Sequence, residues 1–529
     1  MKPTRLLETC SDPAAYPHPV ESVVIRQTHI SVVFLAGPCA YKIKKPVDLG
    51  FLDFSTLEKR RHFCEQEVCL NRRLAPKVYL GVVPLTRAGN GIRVEGQGKV
   101  IEWAVKMERL PEEATLKALL RRGELDGARL EALAQRVASF HRQAEAGAPI
   151  AAFGRFEVVA RNARENLTQA AAQVGITLNP AVLARLRALT KAALARLRPL
   201  IEGRAGRGVP RDTHGDLHLD HVYVLPEGEA PDGFVIVDCI EFNERFRFAD
   251  PVADMAFLVM DLSFHGRRDL ARAFADAYFR ASGDEEGRAL LPFYTAYRAA
   301  VRAKVEGLEL SEKEIPKAER AAAQAQARAH WLLALGELEE PGRRPCLVLV
   351  GGLPGTGKST LARGLAERAR FAVIRSDLVR KELAGVSDEG PAAVSYGRGF
   401  YTPEWTERTY VVCLHRAEQL LAQGERVIVD ATFREERWRR AFLEAATRRG
   451  VPGTFLWCQA DPEAVRARLG QRRDDASDAD WPVYAELAGR WEQPGPLTRQ
   501  ALRAIPTGGD REQALLRALD VLREFQLQE

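Results

Sequence analysis

The chain has 529 residues, 46% of them hydrophobic and 28% charged, with a formal net charge of +6; at about 100–200 residues per domain this is a globular chain of two or more domains. The weak basic excess fits phosphate-bearing ligands without requiring nucleic acid, and eight scattered cysteines with no Cys-x-x-Cys argue against a disulfide framework or a zinc site. No apolar run reaches the roughly 20 residues of a membrane span and the N-terminus lacks an apolar signal core, so the expected compartment is the cytoplasm, without membrane attachment.

In chain order, Val23 to about Met107 reads as strand-rich. Val32–Leu35 and Ala40–Ile43 flank Gly37-Pro38, a turn between two short strands. Lys42 and Lys44 share one face of the second strand by its period of two. Ser55-Thr-Leu-Glu58 has the form of a capping box with Ser55 as N-cap, opening a helix that Pro76 closes. On that helix Phe63, Leu70 and Leu74 make an apolar stripe, with Glu67 in its middle and Arg60 on the same arc. Val100–Val105 is a further strand. From about Glu112 to Trp331 the pattern is helical, interrupted near Val209–Cys239. There lie His214-Gly-Asp216-Leu-His218-x-x-His221, Val235-Ile-Val-Asp238 and, further on, Asp250-Pro-x-x-Asp254. Three histidines within eight residues, beside carboxylates, raise a transition-metal site. Equally, Asp216 and Asp238 stand on either side of a hairpin-like segment, Val222–Val237, as a kinase places its catalytic and Mg²⁺-binding aspartates. A long amphipathic helix is expected over Ser311–Leu338. The expected division is a first domain at 1–335 (small lobe about 20–107, large lobe about 112–335), a linker at 336–345 and a second domain at 346–529.

Beyond the linker, strands alternate with helices: Cys346–Val350, Phe371–Ile374, Arg426–Val429 and Thr454–Trp457 imply a parallel sheet covered by helices. Gly352-x-x-x-x-Gly357-Lys358-Ser359 follows the first of these strands and opens a helix, which is the setting a phosphate-binding P-loop requires. Gly352, Gly355 and Gly357 let backbone N–H groups close on phosphate oxygens, and the helix N-terminus adds positive charge. Lys358 reaches the terminal phosphates, Ser359 offers a Mg²⁺ ligand, and Thr360 completes the loop's contacts with ATP or GTP. Asp377 stands at the C-terminal end of the second strand, where open α/β sheets bind ligands. It is either a base for a substrate hydroxyl or the N-cap of the next helix. Arg380 follows one turn on. Arg426-Val-Ile-Val-Asp430 ends as a Walker-B strand does, with Asp430 set to hold Mg²⁺ through water or to orient the acceptor. Arg434 and Arg437 come next. Of Arg466, Arg468, Arg472 and Arg473, one is expected to act as a lid arginine and the rest to form a solvated face.

Two resemblances follow from these motifs. Gly-Leu-Pro-Gly-Thr-Gly-Lys-Ser-Thr, Ser376-Asp377-x-x-Arg380, Val429-Asp-Ala-Thr-Phe433 and Arg468-Leu-x-x-Arg472 resemble the P-loop kinases related to zeta toxins, polynucleotide 5′-kinases, and gluconate and chloramphenicol kinases, over roughly 345–529. The resemblance implies Asp377 as general base, Arg472 as lid arginine, and Arg434 and Arg437 facing substrate or phosphate. The cluster from His214 to Asp254 resembles the aminoglycoside phosphotransferase group of the protein-kinase-like fold, over about 20–330. It implies Asp216 as catalytic base, Asp238 as principal Mg²⁺ ligand, and Asp254 as brace of the catalytic loop, with His214 and His218 in substrate or structural roles. His221 stands where that group has Asn, a softer donor than Mg²⁺ prefers, which admits metal binding by His221, particularly of Mn²⁺, action through a water, or a weakened, regulatory domain. The fold also needs a strand lysine for the phosphates and a helix glutamate to hold it. Glu67 is the glutamate, and Lys44 matches the strand better than Lys42, which stays as the alternative. Thr28–Ser31 stands in for a glycine-rich loop and Met107–Pro111 for the hinge.

The whole resembles bacterial fusions of an aminoglycoside-phosphotransferase-like domain with a P-loop kinase domain. It implies an α+β protein-kinase-like fold followed by an α/β P-loop fold, and two ATP- and Mg²⁺-dependent sites transferring phosphate to small-molecule hydroxyls. The alternatives are a nucleotide-sensing N-terminal domain that regulates the other, and a nucleic-acid end kinase, ranked last because no basic groove interleaved with aromatics is visible.

Overall fold

The structure, a computed structural model, describes residues 3–88, 91–226, 231–310, 317–386, 402–471 and 480–529. Packing divides the chain into two compact units. One comprises Met1–Asn162, Arg196–Leu262 and Arg267–Tyr294; the other comprises Ala163–Ala195, Ser263–Gly266 and Thr295–Glu529.

In the first unit, β1 (Val23–Gln27), β2 (Ser31–Ala36), β3 (Cys39–Lys44), β4 (Tyr79–Ala88), β5 (Gly91–Val94) and β6 (Val100–Glu108) form an antiparallel sheet in the order β1-β2-β3-β6-β4-β5. Gly37 turns β2 into β3 at a φ of +56°, a conformation glycine adopts without steric cost. Alternation in β2 sends Val32, Phe34 and Ala36 inward, where they pack with Tyr41, Ile43, Leu85 and Ala104. The helix Leu57–Asn71 lays Cys64 and Val68 against Val78, Tyr79 and Val105. Each fully buried aliphatic side chain of this kind contributes about 1.5–3 kcal/mol. Thr56, not Ser55, is the N-cap, accepting from the Lys59 amide at 3.2 Å. Ser55 is drawn away because both its amide and its hydroxyl donate to Asp53. The helix also ends at Asn71, well before Pro76.

The helical part of this unit carries four short strands, β7 (Arg211–Asp212), β8 (Val222–Val224), β9 (Phe234–Ile236) and β10 (Phe248–Ala249). β8 and β9 pair antiparallel as a hairpin between Asp216 and Asp238. Arg204, 1% exposed, holds Asp250 at 2.7 Å and Asp284 at 2.6 Å. A buried guanidinium thereby ties down the start of the helix Pro251–Phe264, with its charge paired as burial demands.

The second unit contains β11 (Cys346–Gly351), β12 (Ala372–Arg375), β13 (Arg426–Asp430), β14 (Gly453–Gln459) and β15 (Leu502–Pro506), all parallel in the order β12-β13-β11-β14-β15. Every residue of β11 and β13 is buried, which is why both read as unbroken apolar runs. β15 is an edge strand with a single buried residue, Ile505, too polar to announce itself. Helices Lys358–Ala369 and Arg511–Glu524 meet through Leu361 and Leu365 against Leu515 and Leu519. The long helix expected from 311 is present as Lys317–Leu338; residues 311–316 lie outside the described ones. Among the described residues no helix is long and apolar enough to cross a membrane.

Candidate functional site

In the first unit β3 directs both lysines at one helix. Lys42 Nζ lies 2.9 Å from Glu67 Oε1 and 2.5 Å from Asp238 Oδ1. Lys44 Nζ lies 2.7 Å from Glu67 Oε2 and also contacts Glu241. Glu67 thus spends one oxygen on each ammonium. The two lysines differ in access, 13% of the Lys42 side chain being exposed against 1% for Lys44. Burial pulls the Lys42 ammonium down, but Asp238, Glu67 and Glu241 outweigh it and hold it well above its ordinary value. Glu241 goes the other way: burial pushes its carboxyl up, against the pull of Lys44. Glu241 has no sequence signal, since nothing in Asp238-Cys-Ile-Glu241 marks it for burial beside a lysine. Arg60, on the same helix, pairs with Glu102 at 2.8 Å.

The loop opening at His214 is held from beneath. Asp254, fully buried, accepts from the amides of His214 at 3.1 Å and Gly215 at 2.8 Å. It also lies 3.0 Å from His141 Nε2, and His141 Nδ1 meets the Tyr278 hydroxyl at 2.8 Å. His141 and Tyr278 come from distant helices, and no sequence signal joins them to the loop. His214 Nε2 donates to the Val237 carbonyl at 2.9 Å, and burial lowers its pKa.

Asp238 follows the hairpin at a φ of +63°, a left-handed conformation that costs a non-glycine residue about 1–3 kcal/mol. Its amide donates to the Tyr79 hydroxyl at 3.1 Å. Burial pushes its carboxyl up, but Lys42 and His221 outweigh this and hold it well below the usual carboxylate range. His221 Nδ1 lies 2.9 Å from the Asp216 carbonyl and Nε2 lies 3.6 Å from Asp238 Oδ2. Burial, helped by His218, brings the His221 imidazole down to about 4, so the ring is neutral at pH 7. His218 Nε2 lies 3.6 Å from Asp216 Oδ2. The structure therefore gathers Lys42, Glu67, Asp216, His221 and Asp238 into one site, while Lys44 sits beneath it with Glu241. Residues 28–31 form the turn between β1 and β2, with the Ser31 amide on Thr28 Oγ1 at 3.0 Å. At the end of β6 and just after it, the Glu108 and Arg109 amides already donate to the Val78 and Pro38 carbonyls.

In the second unit the P-loop joins β11 to the helix Lys358–Ala369, with Gly352, Gly355 and Gly357 at φ of +151°, +77° and +88°. A Cβ on Gly352 would stand 2.7 Å from the Cys458 carbonyl oxygen. Gly352→Ala is therefore expected to abolish nucleotide binding by this unit while the first unit still binds; fluorescent ATP-analogue titration of both sites checks it. Lys358 is buried. Asp430, 3% exposed, is pushed up by burial, with Lys358 and a hydrogen bond from Ser359 opposing. Its Oδ2 lies 3.6 Å from Arg375 Nε, and its Oδ1 has no hydrogen-bond partner. A buried carboxylate oxygen left open beside a P-loop serine suits an oxygen-loving Mg²⁺ or its bound water.

Asp377 is the second residue of the helix Ser376–Ala384, whose N-cap is Arg375. The capping alternative for Asp377 is thereby removed, and its charge is felt at Asp430. Buried Arg380 donates to Thr406 Oγ1 at 3.3 Å. Arg434 is held by Glu435 at 2.6 Å, and Arg437 by Glu407 at 2.7 Å and Glu435 at 2.8 Å. Thr360 is exposed on the first turn. Arg472 lies outside the described residues. Arg468 Nη2 donates to the Thr507 and Gly508 carbonyls at 2.8 and 2.9 Å, and its Nη1 comes within 3.8 Å of a Cβ built on Gly357. Tyr410 was not anticipated: its hydroxyl accepts from the Phe433 amide at 2.9 Å and meets Thr432 Oγ1 at 3.1 Å, fixing the chain just past Asp430.

Fold and site together define a chain of two kinase-like domains, the first protein-kinase-like and the second a P-loop domain. The phosphotransferase enzyme family matches residues 61–294, and an AAA domain family matches residues 347–494. "Uncharacterized protein Rv2004c" of Mycobacterium tuberculosis is 34% identical over 515 residues, 96% of this chain and 97% of that one. "Uncharacterized protein Mb2027c" of Mycobacterium bovis matches to the same extent. The chain belongs to the family of these mycobacterial proteins. Among solved structures, the amicoumacin kinase hAmiN is 11% identical, over 63% of this chain and 93% of that one, with a TM-score of 0.37. A gluconokinase from Sinorhizobium meliloti 1021 is 16% identical, over 34% and 93%, with a TM-score of 0.26.

Proposed function

We propose that the chain is an ATP-dependent phosphotransferase with two working sites, each passing the γ-phosphate of ATP to the hydroxyl of a small molecule. The observation that carries this reading is the position of Lys42 Nζ, between Glu67 Oε1 and Asp238 Oδ1. It leaves a partly accessible ammonium, pre-oriented by a buried carboxylate, next to the aspartate that would hold a divalent ion. The phosphate-contacting role accordingly moves to Lys42, and Lys44 becomes the counter-charge of Glu67 and Glu241. Asp216 takes the proton of the acceptor hydroxyl, and Asp254 holds the Asp216 loop through the two amides before it.

In the second unit the P-loop amides and Lys358 hold the phosphates, Ser359 and Asp430 hold Mg²⁺, and Asp377 accepts the acceptor's proton. A divalent ion at such a site neutralises charge developing on the transferred group. The chain's own residues supply positioning and electrostatics, because phosphoryl transfer demands little covalent chemistry of the protein. Arg380, fixed by Thr406, is the second unit's substrate-side cation. Arg434 and Arg437 are already neutralised by glutamates and contribute less than their charges suggest.

The test is transfer of label from γ-labelled ATP into a metabolite extract by wild type, Asp216→Asn and Asp377→Asn. Two labelled products, each lost in one variant, are the expected result. If ATP binds and no label moves under any metal, the proposal fails. If Asp216→Asn changes only the rate of the second unit's product, the first unit is a nucleotide sensor.

A further inference from the structure

The first unit's site departs from what Mg²⁺ prefers in one donor, His221. The Asp216 carbonyl can only accept a hydrogen bond, so His221 Nδ1, 2.9 Å from that oxygen, carries a proton and donates it. Nε2 is thereby the ring atom left to ligate an ion, and it faces Asp238 Oδ2 across 3.6 Å. Two potential ligand atoms face one another at a distance too long for a hydrogen bond. A histidine whose second ring N–H is tied to a backbone carbonyl is also the orientation metal-ligating imidazoles adopt.

The separation suits an ion. Two donors each about 2.1 Å from one metal and roughly 110–120° apart stand about 3.4–3.6 Å from each other. More donors are close by: one ligand atom each from Asp216, His218 and His221 lie within 4.8 Å of one another, and the His218 and His221 rings lie tilted against each other with centroids 3.8 Å apart. The Asp238 side chain is 40% exposed and that of His221 17%, so an ion can enter from solvent. Imidazole nitrogen beside carboxylate oxygen favours first-row transition metals, whereas Mg²⁺ asks for an all-oxygen shell and gives up its waters reluctantly.

We propose that the first unit's site binds a first-row transition-metal ion of the Mn²⁺, Co²⁺ or Zn²⁺ type in preference to Mg²⁺, with His221 Nε2 and Asp238 Oδ2 as ligands and Asp216 beside them. The inference rests on the phosphotransferase reading only for what the ion would do; its binding stands apart from any transfer. The P-loop site, whose donors Ser359 and Asp430 are oxygens, keeps Mg²⁺, so one chain carries two metal preferences.

Pulsed electron paramagnetic resonance of the full chain with Mn²⁺, without substrate, tests it. A ¹⁴N coupling from a directly bound imidazole is expected in the wild type and is lost in His221→Asn, while the P-loop site contributes none. By calorimetry, Mn²⁺ affinity at this site falls by at least about 10-fold in the same variant, the scale on which even the loss of a ligand's own hydrogen-bond partner acts, and the preference for Mn²⁺ over Mg²⁺ falls with it. Absence of ¹⁴N coupling in the wild type overturns the proposal, whatever the variant's folding. So does coupling that persists in His221→Asn, and a water bridging the two atoms gives the first of these results. Coupling without phosphate transfer sinks the phosphotransferase reading and leaves this one standing; transfer supported by Mg²⁺ with no nitrogen coupling does the reverse.

Discussion

Lys44→Met is expected to destabilise the sheet and helix of the first unit by about 3–5 kcal/mol, the cost of breaking a buried ion pair by removing one partner. Methionine keeps the length of the side chain, so the loss is electrostatic rather than a cavity. Glu241 would then be buried without its cation, and Glu67 would keep only Lys42. Lys42→Met should behave differently. Glu67 retains Lys44, and Asp238, whose side chain is 40% exposed, can be reached by water. Stability falls less, but transfer at this site drops by on the order of 10²–10³, as when a donor aimed at the developing charge is removed. Urea-dependent hydrogen exchange of β3 and the helix Leu57–Asn71 reads the first effect, and labelled-phosphate transfer reads the second. A Lys44→Met protein with wild-type protection and no transfer would exchange the two roles.

Asp254→Asn is the second large effect. The carboxylate is fully buried and accepts from His214 N, Gly215 N and His141 Nε2. Asparagine has the same shape but one acceptor oxygen, and its amide nitrogen would confront a donor. Each buried donor left unsatisfied costs about 1–3 kcal/mol. The displaced loop carries Asp216, and a misplacement of about 1 Å at a reacting group can cost on the order of 10² in rate. The expected outcome is lower thermal stability of the first unit together with loss of its transfer, with ATP binding by the P-loop unit unchanged. Full transfer in a stably folded Asp254→Asn would remove Asp254 from any role in placing the loop.

How much was legible in the sequence depended on how local each feature is. The P-loop is written in one stretch, because strand, glycine turn and helix are contiguous and each glycine answers a local backbone demand. The parallel strands β11 and β13 were readable because both of their faces are buried, whereas β15, at the edge with one buried residue, was not. The helix after β3 was expected from a capping box at Ser55, but its N-cap is Thr56, one residue further on, since a side chain outside it, Asp53, competes for Ser55.

By itself, then, the amino-acid sequence determined the two fold classes, the buried parallel strands and the short motifs whose chemistry lies within a few residues. The different surroundings of Lys42 and Lys44 belonged to the tertiary structure. A period of two places both on the same face, and only the approach of the Asp238 loop to one end of β3 distinguishes them. Glu241, His141, Tyr278 and Tyr410 were invisible for the same reason: each acts through a partner far away in the chain, and a buried charge or hydroxyl is recognisable only once the group that satisfies it has been brought beside it.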